Sequence, residues 1–211
     1  MKSIRSVTFV ALAAALLAVP ARAQVGKAAQ LDPNLATEQQ LLALPHVNAA
    51  IAKSIVEKRP FLTMLSLDSL LGAALSKDQR AQLYGQMWVH INLNTSPRAE
   101  ILLIPGMGPR MAHEFEEYRP YKALTQFHRE MRKYVDEKEV ARLEAYVFVP
   151  IDLNTAADSV ILTIPGVGAN LLHEFKEYRP YDNIAKFRRE IAKYVNQKEL
   201  ARLEKYVTIN K

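Results

Sequence analysis

Two short runs carry the chemistry this chain is best equipped to do. Ile104-Pro105-Gly106-Met107-Gly108 and Ile164-Pro165-Gly166-Val167-Gly168 each set a Gly-x-Gly step between two apolar segments. Such a turn needs positive φ or very close backbone approach, and glycine tolerates both. If a helix starts directly after it, unpaired amide N–H groups collect at the positive end of the helix dipole. A nest of that kind binds an oxyanion, most often a nucleic-acid phosphate. Phosphates carry no base identity, so such binding ignores sequence.

Other chemistry-bearing residues are weaker candidates. His113 and His173 each open a His-Glu-Phe-x-Glu run, but the second His of a zinc-protease motif is missing, so both are expected on solvated helix faces. Carboxylates are scattered, with no spacing that pairs an acid with a base. No nucleophile elbow or phosphate loop is present. The chain is therefore not expected to be an enzyme, and no cofactor is implied. Arg129, Arg132 and Lys133, with Arg188, Arg189 and Lys193, form a basic strip that could contact further phosphates. Glu130 and Glu190 are interleaved with it, which favours a solvated face.

The elements that must position the glycines recur. Ile91-Asn92-Leu93-Asn94-Thr95 returns sixty residues later as Ile151-Asp152-Leu153-Asn154-Thr155. Glu117-Tyr118-Arg119-Pro120-Tyr121 returns as Glu177-Tyr178-Arg179-Pro180-Tyr181, and Ala141-Arg142-Leu143-Glu144 as Ala201-Arg202-Leu203-Glu204. A decayed first copy holds Leu31-Asp32-Pro33-Asn34, Leu44-Pro45 and Arg59-Pro60-Phe61. Internal repetition of this kind marks a repeat architecture. The copies run over 31–90, 91–150 and 151–211, after a leader at 24–30.

Each copy reads as about four short helices, so the fold class is all-α. In the third, Thr155 is placed to cap a first helix carrying Val160, Ile161 and Ile164. A second carries Leu171, Leu172, Phe175 and Tyr178, and stops before Pro180. A third carries Ile184, Phe187, Ile191 and Tyr194. The last starts at capping-box spacing in every copy: Ser76 and Gln79, Asp136 and Glu139, Asn196 and Glu199. Tyr146-Val147-Phe148-Val149 reads as an extended linker. The joints Trp88-Val89-His90-Ile91 and Val147–Ile151 are apolar, so neighbouring copies should pack on each other in a quasi-linear array.

The first 23 residues read as a secretory signal peptide. Lys2 and Arg5 precede the apolar run Val7 to Leu17, and Ala21-Arg22-Ala23 offers a small-x-small cleavage site before Gln24. The run is too short to span a bilayer. Export to the periplasm or exterior is the expectation, with no membrane span in the mature chain. The 211-residue chain has 28 basic and 22 acidic residues, a formal charge of +6. Lys2, Arg5 and Arg22 lie in the signal, leaving 25 against 22, or +3. A tight nucleic-acid binder would carry more. The chain has no Cys, which excludes disulfides and thiol or iron–sulfur chemistry.

Taken together, Asn-x-Asn-Thr, Ile-Pro-Gly-x-Gly and Tyr-Arg-Pro-Tyr resemble the ComEA-type helix-hairpin-helix proteins, exported DNA-binding proteins of bacterial competence. The resemblance covers 31–211. It implies three tandem helix-hairpin-helix (SAM-like) units, DNA as a weak non-specific partner, and phosphate contacts at Gly106, Met107, Gly108 and Arg110, and at Gly166, Val167, Gly168 and Asn170. The same Asn-Leu-Asn and Pro-Tyr pattern more faintly resembles PsbU, a lumenal photosystem subunit that serves as a protein–protein element.

Departures from the family pattern keep a second reading open, a protein-interaction scaffold of the cell envelope. The first copy has His46-Val47-Asn48 in place of the glycines. There Asn48 could take the left-handed conformation, while His46 would block a phosphate. The second hairpin of each copy has lost its glycines, becoming Tyr134-Val135-Asp136-Glu137 and Tyr194-Val195-Asn196-Gln197.

Overall fold

The computed structural model describes residues 24–27 and 30–210; the segment read as a signal peptide lies outside them. Helix dominates the described residues, four per repeat. Repeat one holds α1 (Glu38–Leu42), α2 (Ala49–Lys58), α3 (Met64–Gly72) and α4 (Lys77–Tyr84). Repeat two holds α5 (Arg98–Ile101), α6 (Pro109–Glu117), α7 (Leu124–Met131) and α8 (Glu137–Glu144). Repeat three holds α9 (Asp158–Ile161), α10 (Ala169–Glu177), α11 (Ile184–Ile191) and α12 (Gln197–Glu204). None of these helices is long and apolar enough to cross a membrane.

The repeated motifs lock the corners. In repeat two the Asn94 side chain accepts from Tyr121 N at 2.6 Å and donates to Tyr121 O at 2.9 Å. Asn154 does the same to Tyr181, and Asn34 to Phe61. Arg119 donates to the carbonyls of Leu93 and Ser96, and Arg59 to those of Pro33 and Ala36. Arg179 keeps one such bond, to Ala156 O. The Asn and Arg of the two motifs thus satisfy main-chain groups that no helix can use. The aromatic residue after the Pro is buried in each copy.

Three local expectations need correction. Thr155 does not cap α9. The cap is Ala157, and Thr155 Oγ1 donates to Asp152 instead, because a turn on Asp152 delays the helix by two residues. In repeat one the left-handed residue is His46, at φ 64°, whereas Asn48 is extended and caps α2 through Ile51 N. The last helices start where expected, but only repeat one closes the full capping box. In repeats two and three, Glu139 and Glu199 turn to Arg142 and Arg202.

The extended linker is a paired strand. β1 (Ile91–Asn92) runs parallel to β2 (Val147–Phe148), and β3 (Ile151–Asp152) parallel to β4 (Val207–Thr208). A Leu31–Met87 bridge does the same in repeat one. Each repeat is therefore tied start to end. The leader joins in: Gly26 N donates to Val147 O and Val149 N to Gln24 O, making an antiparallel edge beside β2.

The joints pack as expected. Trp88, Val89, His90 and Ile91 are buried, and Trp88 donates to Tyr146 O. Repeats one and two share one hydrophobic core, while repeat three has its own around Phe175, Phe187 and Leu203. Glu100 of repeat two is buried and accepts from Met64 N at the start of α3. The arrangement is not a line, however. Lys205 of repeat three donates to His90 O at 2.8 Å, and Leu35 of repeat one lies against Gly166. Repeat three thus folds back onto repeat one and onto the joint that follows it.

Candidate anion site at the glycine turns

The two glycine turns have the backbone that their sequence demands. Gly106 sits at φ 76° and Gly166 at φ 79°, both left-handed. Gly108 and Gly168 are extended N-caps of α6 and α10, each nine residues long. A Cβ at either cap would meet nothing within 4 Å. The approach to each helix start is therefore open.

Not every residue assigned to the site can serve it through its amide. Met107 N donates to Ile104 O and Val167 N to Ile164 O, closing each turn from within. Val167 is buried, and Met107 packs against the core. The amides of Gly106, Gly108, Arg110 and Met111 have no partner among the described residues. In repeat three those of Gly166, Gly168, Ala169, Asn170 and Leu171 stand free in the same way. Repeat three has one donor more because Pro109, which lacks an N–H, is replaced by Ala169. Arg110 and Asn170 are exposed beside these amides.

Two residues that sequence reasoning missed stand next to the glycines. Arg142 Nη2 lies 3.7 Å from a Cβ built on Gly106, and Arg202 Nη2 lies 2.9 Å from one on Gly166. Both belong to the repeated Ala-Arg-Leu-Glu motif, which was the available signal. Each is clamped by the Glu three residues before it. The guanidinium of Arg142 holds the Glu139 carboxyl below the usual range. Arg142 is about one-third exposed, whereas the Arg202 side chain is 2% exposed. Repeat one makes that difference: Leu35 Cδ atoms come within 3.3 Å of the Gly166 Cβ position.

The basic strip is fully paired. Arg129 and Lys133 both hold Glu130, Arg189 and Lys193 both hold Glu190, Arg132 reaches Glu137 and Arg188 reaches Glu204. Hydrogen bonds from these lysines and arginines keep the Glu130 and Glu190 carboxyls below the usual range. The strip is thus brought together with its own counter-charges, as the interleaved glutamates suggested. Glu116 behind the first turn is likewise taken by Arg98. Tyr118 and Tyr178 pack at the corners, their hydroxyls bonded to Tyr134 and Tyr194.

His173 differs from its sequence reading in one respect. Ligand-capable atoms of His173, Glu174 and Glu177 lie within 4.8 Å of one another on α10. His173 and Glu177 are exposed at i,i+4 spacing, which is also how a solvated helix pairs its charges.

No protein-family model, no curated protein and no solved structure matches the chain.

Proposed function

We propose that the chain is an exported helix-hairpin-helix protein of the ComEA type that binds DNA weakly and without sequence preference, through the amides of its two glycine turns. One observation carries the reading. Unpaired N–H groups cluster at the open starts of α6 and α10, behind left-handed glycines. Helix starts with free amides attract phosphate. Repeat one is structural in this scheme, because His46 occupies the left-handed position and its ring contacts Gln82. Two turns that each neutralise about two phosphates give a log–log salt slope of about −2 to −4, with Kd in the range of ~10⁻⁴ to 10⁻⁶ M. Titration of duplex DNA across a salt series tests this. No binding at low salt ends the reading.

The paired basic strip favours a second reading, a non-catalytic protein-interaction scaffold of the cell envelope. Under it Arg110→Gln leaves partner capture unchanged. Under the DNA reading the same variant weakens binding equally for all sequences and lowers the salt slope by about 1.

A further inference from the structure

We infer that α10 carries a binding site for one divalent first-row metal ion of the zinc type, formed by His173, Glu174 and Glu177. One ligand-capable atom from each of the three lies within 4.8 Å of the others. His173 and Glu177 are four residues apart and share a helix face, and Glu174 reaches in from its flank.

The first support is the spacing. His173 Nε2 and Glu177 Oε2 stand 3.3 Å apart. Metal bonds of about 2.0–2.2 Å at tetrahedral angles put two ligand atoms about 3.4 Å apart, so this pair already has the separation a metal needs. A third ligand within 4.8 Å is in reach of side-chain rotation. Repeat two places His113, Glu114 and Glu117 at the same positions. There the corresponding pair is 3.8 Å apart, and the three do not converge among the described residues.

The second support is charge that nothing offsets. The other glutamates of repeat three, Glu190, Glu199 and Glu204, are each held by an arginine or lysine. Glu174 and Glu177 have no such partner among the described residues, and Lys176 between them goes to Asp158. One oxygen of Glu174 is also buried without a hydrogen-bond partner. Tyr194 faces the same carboxylate, but its hydroxyl is bonded to Tyr178. Two carboxylates beside an imidazole thus leave two negative charges, which one dication neutralises. The donor set also selects the ion. Magnesium and calcium take oxygen ligands, and soft ions take sulfur, whereas one imidazole with two carboxylates suits zinc and its neighbours. His173 and Glu177 are exposed, so three protein ligands leave the fourth position open to solvent.

The test titrates the intact protein with zinc chloride in phosphate-free buffer, against magnesium chloride at matched ionic strength, and follows thermal unfolding. At about twenty times Kd, mass action gives a Tm rise of roughly 4–7 °C for a chain of this size. Magnesium should give none. His173→Ala and Glu177→Gln change exposed residues, so each should abolish the zinc rise and leave melting without metal nearly unchanged. His113→Ala, at the matching place in repeat two, should leave the rise intact. No zinc-specific rise, or one that survives His173→Ala, overturns the proposal. A rise lost in His113→Ala also overturns it, in favour of a site on α6. The inference stands apart from DNA binding at the turns: the titration contains no DNA, so failure of either leaves the other in place.

Discussion

Repeats two and three share the same motifs and the same four helices, yet their glycine turns stand in different surroundings. Around Gly106, Arg142 and Glu139 face solvent. Around Gly166, Leu35 closes one side and Arg202 is buried. The same turn motif therefore gives one solvent-facing turn and one that doubles as a contact surface. A repeat's surface chemistry is set as much by what the chain later lays over it as by its own residues.

The largest test of that contrast is the arginine pair. Arg202→Ala removes a buried guanidinium and strands Glu199. It should lower stability by about 3 kcal/mol, near the low end for a broken buried pair because Glu199 stays partly solvated. Arg142→Ala should cost under about 1 kcal/mol, as exposed pairs do. Equal losses in chemical denaturation would mean that repeat one does not cover repeat three.

Next is the pH response of the junction itself. His90 is buried, its Nε2 contacts Gly26 O, and burial with Lys205 nearby lowers its pKa to about 4. The carbonyl can only accept, so Nε2 carries the ring proton of the neutral form. The unfolded chain binds this proton near pH 6.5 and the folded chain only near 4. The His90 contribution to stability should therefore be constant above about 6.5 and fall as pH drops from there towards 4, by up to about 3 kcal/mol. His90→Gln should flatten that limb of a Tm-against-pH curve. Lys205, which donates to His90 O, has its pKa lowered to about 8 by burial. Its unfolded form keeps the proton to about 10.5, so stability should rise again between pH 8 and 10.5. Lys205→Met should remove that rise.

The smallest effect is at the glycines. Gly106→Ala forces a Cβ into the left-handed region, at roughly 1–2 kcal/mol. Gly166→Ala should cost more, since its Cβ would also meet Arg202 at 2.9 Å and Leu35 at 3.3 Å. Paired thermal melts decide this, and a smaller loss at Gly166 would contradict the crowding by Arg202 and Leu35.

Much of the local structure was legible without coordinates. The sixty-residue period, four helices per copy, the start of each last helix and the left-handed glycines all follow from residue type and spacing, because caps, turns and helix stops are satisfied within a few residues. The partner of a side chain was harder. The interleaved glutamates announced the pairing of the basic strip, but nothing local showed that Glu139 and Glu199 would leave their caps for arginines, or that Thr155 would serve a turn and not a helix. Those choices depend on competition between acceptors of similar strength. The fold-back of repeat three onto repeat one, the burial of His90 and Arg202, the partial burial of Lys205, and the seam they create were settled only by tertiary packing. Contacts such as Leu35 with Gly166 join residues more than a hundred positions apart, and desolvation depends on which surfaces meet, not on the order of residues along the chain.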